Sequence, residues 1–169
     1  FSILDVPIEI KDKQNAIEKT NFNKSIEFVD VSFRYNKNIN QLVLKNINVT
    51  INKGKKIALV GMSGAGKSTF ANLIPRFYEA TSGSINIDTI NIKDLSLISL
   101  RSLIGIVTQE TILFNDSIKN NISYGMKNAP INKIKSAALD ANAHDFITKL
   151  PNGYETIIGE KGLKLSGGQ

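Results

Sequence analysis

The consecutive residues Gly61-Met62-Ser63-Gly64-Ala65-Gly66-Lys67-Ser68-Thr69 follow the spacing G-x-x-x-x-G-K-[S/T]. These residue types suit the binding of a nucleoside triphosphate. The glycines let the backbone curl and approach phosphate oxygens with no Cβ in the way. Successive N–H groups from about Gly64 to Thr69 then converge on an anion at the positive end of a helix. Lys67 supplies a point charge for the β- and γ-phosphates, and the Ser68 hydroxyl is a ligand for Mg2+. The plain alternative is a glycine-rich turn that contains Lys-Ser by chance. At average glycine usage such a match is about a one-in-a-hundred event or rarer in a chain of this length.

The loop works only when a strand feeds it and a helix leaves it. Upstream, Lys55-Lys56-Ile57-Ala58-Leu59-Val60 is a short apolar run expected to form a buried strand. Downstream, Phe70, Leu73, Ile74 and Phe77 fall at i, i+3, i+4 and i+7 on one helix face, which Pro75 kinks or ends. Before the loop, Val29, Val31, Phe33 and Tyr35 alternate with polar residues, predicting a strand over 25–35 that stops at Asn36-Lys37-Asn38. Ile47, Val49 and Ile51 alternate with Asn46, Asn48 and Thr50 in a second strand, ended by Asn52-Lys53-Gly54. After it, Gly83-Ser84-Ile85-Asn86-Ile87-Asp88 predicts another strand. Leu95, Leu97, Leu100 and Leu103 surround a short helix that holds Arg101, and Ile104-Gly105-Ile106-Val107 reads as a second buried strand. Helices are then expected over 117–122, 131–143 and 144–150, the last stopped by Pro151-Asn152-Gly153. Strand–loop–helix units of this kind imply an α/β fold with a parallel sheet covered by helices, antiparallel strands beside it, and ligand outside the carboxyl ends of the strands.

Composition narrows the class. The 169 residues suffice for one core of ordinary domain size, and 41% hydrophobic with 21% charged residues is ordinary for a globular chain. No apolar run approaches the ~20 residues of a membrane helix. The net charge is +6, yet the lysines are scattered and no basic run is interleaved with aromatics, so a nucleic-acid partner is not expected. With no Cys, disulfides and thiolate zinc sites are excluded, and a reducing compartment fits. No signal peptide is visible. Residues 1–24 are polar and suit a linker. The chain opens on Phe1 and stops at Gln169, so it looks cut at both ends.

The terminal Leu165-Ser166-Gly167-Gly168-Gln169 resembles the signature motif of the ATP-binding-cassette (ABC) transporters. It follows the phosphate loop at about the family's interval, with Gln109 between them at the position of the family's glutamine loop. Tyr35, after Val31-Ser32-Phe33-Arg34, resembles the aromatic that stacks on adenine. Gly159-Glu160-Lys161-Gly162, Phe114-Asn115-Asp116-Ser117-Ile118, His144-Asp145-Phe146-Ile147 and the opening Ile3-Leu4-Asp5 through Pro7 resemble the exporter subclass. Leu73-Ile74-Pro75-Arg76-Phe77-Tyr78 and Gly105-Ile106-Val107-Thr108-Gln109 look most like bacterial lipid A flippases.

The resemblance implies a P-loop NTPase (RecA-like) core with an antiparallel β subdomain and a partial α-helical subdomain. Residues 1–24 would be the linker from a transmembrane domain, 25–110 the β subdomain and core, and 111–169 the helical subdomain. It implies ATP and Mg2+ as cofactors, held by Gly61, Ser63, Gly64, Ala65, Gly66, Lys67, Ser68 and Thr69, with Tyr35 on the base. Gln109 would touch Mg2+ and the attacking water and couple to the membrane domain. Lys67 and Gln109 would be the catalytic residues within this chain. Ser166, Gly167, Gly168 and Gln169 would act in trans, on nucleotide held by a second nucleotide-binding domain in a head-to-tail dimer. The location implied is the cytoplasmic face of a bacterial inner membrane.

Each position keeps a plainer alternative. Tyr35 can be a packed strand-end aromatic, Gln109 a capping amide, residues 166–169 a turn, and Glu160 a solvated carboxylate. His144, the one histidine, reads as structural. Thr89 stands where the family has Gly after Asp88. The family's acidic strand, with its Mg2+-binding Asp and catalytic Glu, and its switch His would lie past residue 169, so these residues alone are expected not to turn over ATP. Two other functions are a binding module that holds nucleotide without catalysis and a soluble ABC ATPase of DNA repair or translation.

Overall fold

The structure is a computed structural model that describes residues 8–36, 41–108, 112–126 and 128–159. It divides into two compact units, residues 1–106 and 107–169.

Among the described residues the first unit is built on four strands, β1 (Ser25–Phe33), β2 (Leu44–Asn52), β3 (Ser82–Ile87) and β4 (Ile90–Asn91). They pair antiparallel in the order β2-β1-β3-β4. The alternation read for the second strand holds, with Ile47, Val49 and Ile51 half-buried between exposed Asn46, Asn48 and Thr50. In β1 it does not. Strict alternation would turn Val29 inward, but Phe28 is buried and Val29 is 46% exposed. The ladder to β2 slips between Phe28 and Val31, where Asp30 takes φ 53°. One extra residue in a strand flips the faces on either side of it, so Phe28 and Val31 both point into the core. Gly83 on β3 makes room for this bulge, because a Cβ there would lie 2.3 Å from the Asp30 carbonyl oxygen.

Helix α1 (Lys67–Leu73) packs on this sheet through Thr69, Phe70 and Leu73. Phe70 stacks on Phe28 with ring centroids 4.2 Å apart. Leu73, Leu95 and Leu100 are fully buried, each contributing roughly 1.5–3 kcal/mol by removal from water. Helix α2 (Leu97–Ser102) begins at Ser96, whose hydroxyl accepts from the Ser99 N–H.

Residues 8–24 lie along this unit with little regular structure of their own. Ile17 bridges Leu95, Lys13 pairs with Asp94, and the Lys19 ammonium sits 2.9 Å from Asp88. Burial alone would push the Asp88 carboxyl up. Lys19 and the N–H groups of Asn23, Lys24 and Ser25 reverse that and hold it far below the usual carboxylate range. Asp88 and Thr89 form the β3–β4 turn with φ 51° and 78°, so Thr89, where the resemblance implies Gly, takes a left-handed conformation.

Two expected strands are absent. Residues 57–60 and 104–107 form no strand, and Ile57, Leu59, Val60, Ile106 and Val107 are exposed, Val60 by 90%. An apolar run becomes a strand only when another strand takes its N–H and C=O groups. Among the described residues no segment pairs with either run, so no parallel ladder forms there.

The second unit holds α3 (Ile118–Ile122), α4 (Ile131–Asp140), α5 (His144–Lys149) and a 3-10 turn at Gly153–Glu155. The Ser117 hydroxyl caps α3 by accepting from the Asn120 N–H, and Ser117 itself bridges Ile157. Ile118, Ile134, Ala138, Ile147 and Ile158 make its core. The Tyr154 hydroxyl lies 2.8 Å from His144 Nδ1, and burial pushes its pKa up. That bond fits the structural reading of His144.

Candidate functional site

The loop over residues 61–66 leads directly into α1. Gly66 precedes the helix with φ 85°, a left-handed conformation that favours glycine, and a Cβ there would crowd the Val43 carbonyl oxygen at 3.2 Å. The N–H groups of Gly64, Gly66, Lys67, Ser68 and Thr69 meet no acceptor among the described residues. Free donors at a helix start, with no acidic side chain in its first turn, make a concentrated positive site. The Lys67 ammonium lies over the loop and donates to the carbonyls of Gly61 and Met62 at 2.8 Å each. The Ser68 hydroxyl is exposed beside these donors, which suits a ligand for an ion carried by a triphosphate. Among the described residues, no three His, Cys, Asp or Glu side chains gather to hold a metal ion by themselves.

Tyr35 stands just past the end of β1 and is 57% exposed. Phe33 and Tyr78 meet its ring edge-on, at 4.9 and 5.1 Å between centroids. Its hydroxyl lies 2.7 Å from Thr69 Oγ1 in the first turn of α1. Tyr35 also borders a cavity of about 810 Å3, whose walls include Phe33, Tyr78, Arg76 and Arg101.

Two arginines hold the exit of α1. Arg76 is buried at φ 53°, donates to the carbonyls of Ile92 and Lys11, and pairs with Glu79 at 2.5 Å. Burial would raise the Glu79 carboxyl, but Arg76 and Lys93 together leave it below its ordinary value. Arg101 donates to the carbonyls of Pro75 and Arg76 while lying over the Phe77 ring. A polar residue after Pro75 gives no hint that it will be buried, so Arg76 was invisible as a structural post. The Tyr35–Thr69 contact was equally hidden, because nothing in sequence links residues 34 positions apart.

The first unit therefore brings Tyr35 and the phosphate loop together through Thr69. Gln109, Glu160 and residues 166–169 lie outside the described residues.

The profile of the family described as ABC transporter matches residues 44–169, three quarters of the chain. A profile described as a predicted periplasmic lipoprotein matches residues 9–75, less than half of it. Over its whole length the chain is 54% identical to an ATP-dependent lipid A-core flippase of Syntrophus aciditrophicus (strain SB). It is 47% identical to a Bacillus subtilis (strain 168) protein whose name describes a multidrug export ATP-binding/permease protein. It covers 28% and 29% of these two relatives. A solved bacterial Atm1-family ABC exporter with ATP bound superposes on 99% of the chain with a TM-score of 0.87 at 42% identity, the chain spanning 29% of it. Among the described residues no helix is long and apolar enough to cross a membrane.

Proposed function

The chain belongs to the ABC transporter family, and we propose that it is the ATP-binding part of an exporter. In that role it couples binding and hydrolysis of ATP to export of a lipid or other hydrophobic substrate. The observation that carries this reading is the row of N–H groups at the start of α1 that meet no acceptor among the described residues, with Lys67 above them.

Each residue then has a task. The N–H groups of residues 64–69 receive the phosphate oxygens, and Lys67 exchanges its carbonyl partners for the β- and γ-phosphates. The Tyr35 ring stacks on adenine. Ser68 supplies one hydroxyl ligand to Mg2+, which when bound neutralises charge on the β- and γ-phosphates. Gln109 would be a second ligand to that ion and a contact for the attacking water, and would couple the site to a transmembrane domain. Ser166, Gly167, Gly168 and Gln169 face the nucleotide of a second nucleotide-binding domain, so that two such domains close head to tail around two ATP molecules. The chain works at the cytoplasmic face of a bacterial inner membrane.

The test is Lys67→Ala, titrated with ATP and with adenosine. Removing a charge aimed at phosphates weakens ATP binding by at least about tenfold, given the worth of a charge-assisted hydrogen bond, and leaves adenosine nearly unaffected. Equal, small losses for both ligands would put the site elsewhere.

A further inference from the structure

We infer that Thr69 is a positioning residue for Tyr35, tying the ring that meets the base to the helix that meets the phosphates. This rests on the nucleotide-binding reading above.

The tie reaches out of the helix to another segment of the chain. A helical Thr hydroxyl commonly bonds back to the carbonyl three or four residues earlier. Here the hydroxyl is instead 2.7 Å from the Tyr35 phenol, across 34 residues of sequence. Thr69 is only 4% exposed, so this hydroxyl is shut away from water and needs its partner. The phenol is the more acidic of the two hydroxyls and the better donor. When it donates, Thr69 keeps its own proton for a second acceptor.

Without the tie, Tyr35 has little to fix it. The ring is more than half exposed, and among the described residues Phe33 and Tyr78 meet it edge-on. Those two edge-to-face contacts orient the plane of the ring but do not reach its phenol end, which the bond to Thr69 holds. Thr69, by contrast, belongs to the same turn as Lys67 and Ser68, and neighbouring Phe70 anchors that turn on Phe28. Bonding Tyr35 to Thr69 therefore sets the distance between the two halves of the site before any ligand arrives. A ligand that carries both a base and phosphates benefits, because the ring need not be ordered on binding. A ligand that carries phosphates alone does not.

If only the π face mattered, Tyr35→Phe would bind as wild type does. The tie gives a different expectation. Thr69→Val and Tyr35→Phe should each lower the ratio of ATP affinity to tripolyphosphate affinity, by roughly three- to tenfold. The double variant should be no worse than either one, and Thr69→Ser, which restores the hydroxyl, should recover most of the ratio. A melting-temperature cycle on the same variants without nucleotide should show the same non-additivity, reading the tie directly. Additive losses, an unchanged ratio, or an equal fall for tripolyphosphate would overturn the inference. Failure of the nucleotide reading is a separate outcome: ATP would then bind wild type and Lys67→Ala alike.

Discussion

The two sides of the phosphate loop have similar apolar content and opposite fates. On the helix side, Thr69, Phe70 and Leu73 are buried against the sheet, with Phe28 stacked on Phe70. On the strand side, Ile57, Leu59 and Val60 are 53%, 44% and 90% exposed, and residues 55–60 belong to no ladder. The difference teaches that hydrophobicity states a demand for burial without saying what meets it. The helix carries its own backbone partners and needs only a surface. The strand needs another strand for its hydrogen bonds as well as cover for its side chains.

The largest effect should come from breaking the finished side. Leu73→Ala removes a fully buried side chain and should cost about 2–5 kcal/mol in denaturant unfolding. In the same 169-residue chain, Val60→Ala should stay within about 0.5 kcal/mol, as exposed substitutions do. Similar losses at both positions would show that residues 55–60 are buried in solution, and the contrast would fail.

A middle-sized effect sharpens the picture of how the sheet is secured. Asp88 collects Lys19 and three N–H groups from residues 23–25, and its carboxyl lies well below its usual range. A depressed carboxyl contributes stability that is fully present above its unfolded value near pH 4 and is lost as pH falls toward the folded value. Asp88→Asn should thus cost about 1–3 kcal/mol at neutral pH, with the gap from wild type closing below about pH 4. Unfolding curves across that range check it. A gap that stays constant with pH would mean the carboxylate charge is not what holds residues 19–25.

The smallest effect is a gain. Thr89 holds φ 78°, where a β-branched side chain is strained. Thr89→Gly should raise stability by roughly 1 kcal/mol, after the added freedom of the unfolded glycine is offset. A loss on thermal unfolding would show that the Thr side chain does more for the turn than its strain costs.

Most element positions were legible because their signals are local. Pro75 ends α1 within two residues, Ser117 caps α3, and Pro151-Asn152-Gly153 closes α5. The register of β1 was not legible. Phe28 and Val29 are both apolar, so the pattern allows either to face inward. A left-handed Asp30 opposite Gly83 makes the choice. Of the candidate site, Lys67, Ser68 and the loop glycines could be read at once, since their chemistry is written in adjacent residues. Arg76 could not be read, because its burial depends on carbonyls from residues 11 and 92.

By itself, then, the sequence determined the phosphate loop, the helices and the family. Each rests on bonds or spacings that close within a few residues, or on motifs whose order along the chain is enough. Tertiary structure alone decided which apolar runs are buried, which face of β1 turns inward, and that the Tyr35 phenol reaches Thr69. Those outcomes depend on groups brought together from distant positions, and no local pattern specifies which distant group arrives.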